Sequence, residues 1–271
     1  MNAAHAGRAF RAILWRELLR FVQQRERFFA ALVRPLVWLL VFAAGFRATL
    51  GLSIIPPYET YITYDVYVVP GLIGLIQLFN GMQNSLSMVY DREMGSMRVL
   101  LSTPLPRGYL LVARMLSGTA VSIIQVYAFL AIAALCGTEM PPSGLLPLLP
   151  VLILTGLTLS ALGMFLSSRI RQLENFAGVM NFLIFPMFFM SSALYPLWRM
   201  KESSPLLYEL CLLNPFTYSV ELIRFALYSQ MNWQAFWVVL GCMTVFTALA
   251  VFAYNPSKGL IARRGGPGGA A

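Results

Sequence analysis

The chain has 271 residues, 58% of them hydrophobic and only 11% charged, whereas a soluble domain carries roughly 25% charged residues. This excludes an ordinary water-soluble globular protein and predicts a polytopic, all-α membrane protein. The net charge of +9 does not indicate nucleic acid as a partner: no basic patch is interleaved with aromatics, and the cations stand at the ends of apolar runs, where the positive-inside rule places them.

Residues 8–29 read as an amphipathic helix, with Phe10, Leu14, Leu18, Phe21 and Val22 on one face and Arg16, Arg20, Gln23, Gln24 and Arg27 on the other. That pattern suits a helix lying in the headgroup region; the alternative is a cytoplasmic extension of the first span. A spanning helix needs about 20 mostly apolar residues, and six segments meet the requirement. The first is 30–52, and it holds Arg34 and Arg47 near enough to its ends to reach the interface.

The second span, 66–89, has a polar face. Gln77, Asn80, Asn84 and Ser87 recur at helical spacing, with Gln83 adjacent. Amides on one side of a membrane helix either line a pathway or hold helices together. The loop at 90–107 follows. Asp91, Arg92 and Glu93 are expected to open a short helix, where acids complement the N-terminal dipole. Met94, Met97 and Leu101 form an apolar stripe, and Pro104 and Pro106 end the helix. Such a helix either docks in a groove on a partner or lies against lipid.

The third span is 109–136 and the fourth 146–168, with a small-residue stripe at Gly156, Ser160, Gly163 and Ser167 that fits close helix packing. The fifth is 175–195. The segment 196–233 is apolar in part, is interrupted at Asn214-Pro215, and carries Glu221 and Arg224. A re-entrant or interfacial pair of short helices fits it, because irregular backbone at membrane depth must be covered by protein. Asn214 is suited to cap the second helix and Pro215 to occupy its first turn. The sixth span is 234–254, and 255–271 is a glycine-rich tail. The organisation is therefore an N-terminal segment 1–29, a membrane domain 30–254 and a disordered cytoplasmic tail.

The Lys/Arg distribution puts both termini and the loops 90–107 and 169–174 in the cytoplasm, and 53–65, 137–145 and 196–233 outside. The long charged segment before the first span argues for an uncleaved anchor rather than a signal peptide. Cys136, Cys211 and Cys242 form no metal-binding spacing, and Cys136 and Cys211 are either a pair or two free thiols. The only histidine is His5, and the phosphate-cradling pattern Gly-x-x-x-x-Gly-Lys-Ser/Thr does not occur. No carboxylate pair lies mid-membrane; proton-coupled pumps usually show intramembrane Asp, Glu or His, and their lack argues against a self-powered transporter and an intramembrane hydrolase.

Three stretches together resemble the membrane subunit of ABC exporters of the ABC-2 type. They are Asp91-Arg92-Glu93-Met94-Gly95-Ser96-Met97-Arg98 through Ser102-Thr103-Pro104; Ser192-Ala193-Leu194-Tyr195-Pro196-Leu197; and Leu213-Asn214-Pro215-Phe216-Thr217-Tyr218, followed by Glu221 and Arg224. Within the family, Val69-Pro70-Gly71-Leu72-Ile73 through Tyr90 is most similar to nodulation-factor and drug-exporter permeases. The resemblance implies a non-enzymatic permease in the inner membrane that pairs with a second permease copy and with cytoplasmic ATPase subunits, which hold the ATP and Mg. It assigns ATPase coupling to Arg92, Glu93, Met94, Gly95, Met97, Arg98, Leu101, Thr103 and Pro104. It makes 196–233 an outer gate built on Tyr195, Pro196, Asn214, Pro215, Glu221 and Arg224. The expected cargo is amphipathic, lipid-linked or drug-like. The rivals are a membrane-embedded assembly protein without a pathway and a cytochrome-biogenesis type permease.

Overall fold

The computed structural model describes residues 25–46, 56–60, 62–93, 107–170 and 172–253, together with residues 7–8, 11–16, 19 and 23. The expected interfacial helix at 8–29 lies largely outside the described residues, although 11–16 are helical. Among the described residues the regular structure is all-helical. In order, α1 is Arg25–Phe46, α2 Tyr64–Glu93, α3 Arg107–Leu135, α4 Leu145–Arg169 (preceded by a 3-10 turn, Pro142–Gly144), α5 Leu173–Phe189, α6 Leu197–Ser203, α7 Pro205–Leu213, α8 Pro215–Leu227 and α9 Trp233–Ala253.

Among the described residues, four stretches are long and apolar enough to cross a bilayer: Tyr64–Asp91, Gly108–Leu135, Pro142–Arg169 and Trp233–Ala253. A fifth is possible if α7 and α8, bent by 78° at Asn214, count as one. α1 and α5 have shorter apolar stretches, Leu32–Val41 and Leu173–Phe189.

The fifth expected span ends six residues early. The chain leaves the helix after Phe189, and residues 190–195 form an irregular segment in which Ser191, Ser192, Ala193 and Leu194 are buried. The region after it holds three short helices, where the sequence suggested two.

The packing is inverted relative to a soluble bundle. Of the four long spans the polar-faced α2 is the most enclosed, with 89% of its apolar stretch buried, and α9 the least, with 17%. Lipid solvates an apolar helix as well as protein does, so the polar side chains of a span are drawn inward, where they sit among a core that is still mostly apolar. α2 packs against α1, α3, α4, α5 and α8, and α9 lies on α4. The α2–α4 contact is close because Gly81 faces the Leu159–Ser160 backbone and Gly163 faces Ser85. A Cβ on Gly163 would stand 2.5 Å from Ser85 Oγ. The small-residue stripe of α4 thus lets two backbones approach, as expected.

Arg34 lies in the interior of α1 with its guanidinium 4.0 Å from the centre of the Phe79 ring. The ring face attracts a cation, so this exposed arginine has a partner on α2. Arg47 lies outside the described residues. Cys136 is exposed and Cys211 buried, both as free thiols.

Candidate functional site

Three polar assemblies lie along α2. The first is its amide face. Gln77 is buried, donates to the Leu152 carbonyl at 2.8 Å and accepts from Thr155 Oγ at 2.7 Å. Its amide is therefore satisfied on both sides by α4. Asn80, Gln83, Asn84 and Ser87 are half-buried. Asn80 donates to Gln125 of α3, and Asn84 donates to the Arg114 carbonyl at 2.9 Å. Ser87 donates to the Asn84 carbonyl at 2.7 Å. One helix face thus combines an anchored amide with a row of half-buried ones.

The second assembly is at the far end of α2. Asp91, Arg92 and Glu93 do not begin a separate helix; they form the last turn of α2. Acids are disfavoured by the dipole at a helix C-terminus, and the structure supplies a compensating charge. Arg114 of α3 pairs with Asp91, and both side chains are buried. Glu93 is exposed and accepts from the Leu173 backbone N–H at 3.3 Å, which ties the end of α2 to the start of α5. Met94, Gly95, Met97, Arg98, Leu101, Thr103 and Pro104 lie outside the described residues. The segment that contains them runs between two helices whose ends are joined by Asp91–Arg114.

The third assembly surrounds residues 190–195. Asn214 N-caps α8 by accepting from the Phe216 N–H at 3.0 Å. Its Nδ2 donates to the Met187 and Met190 carbonyls, both at 2.7 Å, so the same side chain closes the C-terminal end of α5. Pro215 occupies the first turn of α8. Arg224 is buried, pairs with Glu221 one turn earlier, donates to the Ser192 carbonyl at 2.8 Å and lies 4.1 Å from the centre of the Tyr67 ring. Tyr67 donates to the same Ser192 carbonyl, and Tyr64 to that of Leu194, each at 3.0 Å. Gly71 permits the approach: a Cβ there would stand 2.6 Å from the Ala193 carbonyl oxygen. Tyr195 is exposed, and the buried Pro196 precedes α6. Burial pushes the phenol of Tyr58, ahead of α2, above its ordinary pKa.

Sequence reading found Asn214, Pro215, Glu221 and Arg224 from the Asn-Pro break and the lone charges beyond it. It missed Arg114, Tyr64, Tyr67 and Gln125 as polar partners, because their roles arise from contacts between helices far apart in the chain. An isolated arginine near the start of a span was the only visible signal for Arg114.

Residues 8–228 match the family described as ABC-2 type transporter. The chain is 29% identical over 230 residues to the putative transport permease ycf38 of Pyropia yezoensis, covering 82% of this chain and 75% of that one. It is 24% identical over 229 residues to nodulation protein J of Sinorhizobium fredii, covering 83% and 82%. It is 27% identical over 204 residues to the probable multidrug ABC transporter permease YbhR of Escherichia coli, covering 72% and 54%. A match over most of its length, on a chain whose described residues are helical and hold four to five candidate spans, places this protein in the ABC-2 type transporter family, as a transmembrane permease subunit of an ABC transporter.

Proposed function

We propose that the chain is the permease of an ATP-driven exporter in the inner membrane, with an amphipathic, lipid-linked or drug-like cargo. The family match carries this reading, and a relative named as a probable multidrug ABC transporter permease favours a drug-like cargo. In this reading α1 and α5 complete six crossings with α2, α3, α4 and α9. α5 has 17 residues, or about 26 Å at 1.5 Å per residue, close to the thickness of the hydrocarbon core. The bend at Asn214 makes α7–α8 a re-entrant outer gate, and an even number of crossings returns both termini to the cytoplasm, in agreement with the Lys/Arg asymmetry.

The chain works as a pair with a second permease copy in contact with membrane lipids. ATP and Mg belong to a cytoplasmic ABC ATPase that docks on the 90–107 segment, near the interfacial helix at 8–29. Movement there reaches the bundle through Asp91–Arg114 and Glu93. Asn80, Gln83, Asn84 and Ser87 face the cargo, while Gln77 anchors them on α4. The test is reconstitution of the permease with its co-purified ATPase in proteoliposomes, followed by ATP-dependent movement of a fluorescent amphipathic dye. Asn84→Leu should reduce dye movement and leave basal ATP hydrolysis intact. Failure of any ATPase to co-purify from native membranes would overturn the reading.

A further inference from the structure

A cavity of about 460 Å³ lies where the segment before α2, the turn after α3 and the end of α8 meet. Three carboxylates line it, Glu59, Asp65 and Glu139, and no basic residue is among its described lining residues. Glu59 and Glu139 are exposed and form the mouth. Asp65 is only 5% exposed, and its Oδ1 is buried without a hydrogen-bond partner. Its place in the first turn of α2 accounts for a carboxylate there through the helix dipole, but not for the unfilled oxygen. A buried carboxylate oxygen without a donor is costly. Tyr58 and Tyr228 complete the wall, edge to face with ring centres 4.9 Å apart. Arg224, beyond Tyr58, does not neutralise the cavity, because Glu221 pairs with it.

From this geometry we infer that the cavity binds an organic ammonium group. A metal ion fits less well: among the described residues no three His, Cys, Asp or Glu side chains are placed to hold one, and the space far exceeds a bare ion. Acids supply the counter-charge and a hydrogen-bond acceptor at depth, and tyrosine faces suit an alkylated cation. The site would give the exporter a preference for cargo with a cationic amine, and in that use alone it rests on the permease reading.

The experiment is calorimetric titration of the purified full-length chain in lipid nanodiscs with choline and with 3,3-dimethylbutan-1-ol, which has the same shape without the charge. Choline should bind saturably and at least about tenfold more tightly than the alcohol, the ratio set by roughly 1.4 kcal/mol. Asp65→Asn should weaken choline by about tenfold. Glu139→Gln, an exposed change that cannot disturb the bundle, should weaken it by a smaller factor. Equal binding of the two probes, no saturable choline signal, displacement of choline by Ca²⁺ alone at equimolar concentration, or unchanged affinity in both variants would each overturn the inference. The titration needs no ATPase, so its failure leaves the permease reading intact, and failure of ATPase co-purification leaves the cation site intact.

Discussion

The Asp91–Arg114 pair joins the last turn of α2 to the first turns of α3, at the two ends of the segment assigned to ATPase docking. Both residues are under 10% exposed, Asp91 at 8% and Arg114 at 5%. Removing one member leaves the other buried without a counter-charge, which costs about 3–5 kcal/mol, whereas replacing both by apolar residues of similar volume is close to neutral. Asp91→Leu and Arg114→Met should therefore each be strongly destabilising, and the double variant much less so. At about 2–4 °C per kcal/mol for a chain of this size, each single change should lower the unfolding midpoint by roughly 6–20 °C. The assay is thermal unfolding in nanodiscs at one fixed scan rate, since membrane proteins of this size unfold irreversibly. The same three variants should be assayed with the ATPase bound. The double variant should retain the ATPase but lose stimulation by cargo, because the loop ends are then held by packing without the charge pair. Single variants as stable as the parent, or a double variant as unstable as the two losses summed, would refute the reasoning.

Asn214→Ala should be costlier than an ordinary cap deletion of about 0.5–2 kcal/mol, because it also strands the Met187 and Met190 carbonyls; Asn214→Asp should keep the cap yet remain destabilised, because it sets an acceptor-only carboxylate against those two carbonyls, as read from unfolding midpoints. Gly71→Val should disrupt folding, since its Cβ would meet the Ala193 backbone, and poor recovery of monodisperse protein is the measurement. Met97→Asp should abolish ATPase co-purification at unchanged expression, because burying a Met contributes roughly 1.5–3 kcal/mol and a carboxylate in its place is desolvated; normal recovery of the ATPase would reduce the 90–107 segment to a membrane-surface helix.

The spans α2, α3, α4 and α9 were legible to within a few residues because apolar length is a local property that the sequence carries directly. The Asn214-Pro215 break was equally legible, since capping depends on neighbours in the chain. The early end of α5 was not. Residues 190–195 are apolar enough to continue a helix, and what diverts them is a set of donors from elsewhere: Tyr64, Tyr67, Asn214 and Arg224. The acidic turn at 91–93 was assigned to the wrong end of a helix, because dipole reasoning favours acids at a start, and a tertiary partner, Arg114, reverses the preference. The amides of α2 were visible as a stripe, but their partners on α3 and α4 follow from packing that no periodicity encodes.

Gln77 has a consequence for how the molecule is made. Its amide is satisfied by Leu152 and Thr155, 75 and 78 residues further along the chain. At roughly 5–20 residues per second of synthesis, the ribosome takes about 4–15 s to deliver the residues that complete it. During that interval α2, the most polar-faced of the spans, is in place without the helix that satisfies Gln77, and the translocation machinery or membrane water must hold it. Slowing translation between α2 and α4 should thus lengthen the period in which α2 is open to quality-control proteases, while slowing it after α4 should not.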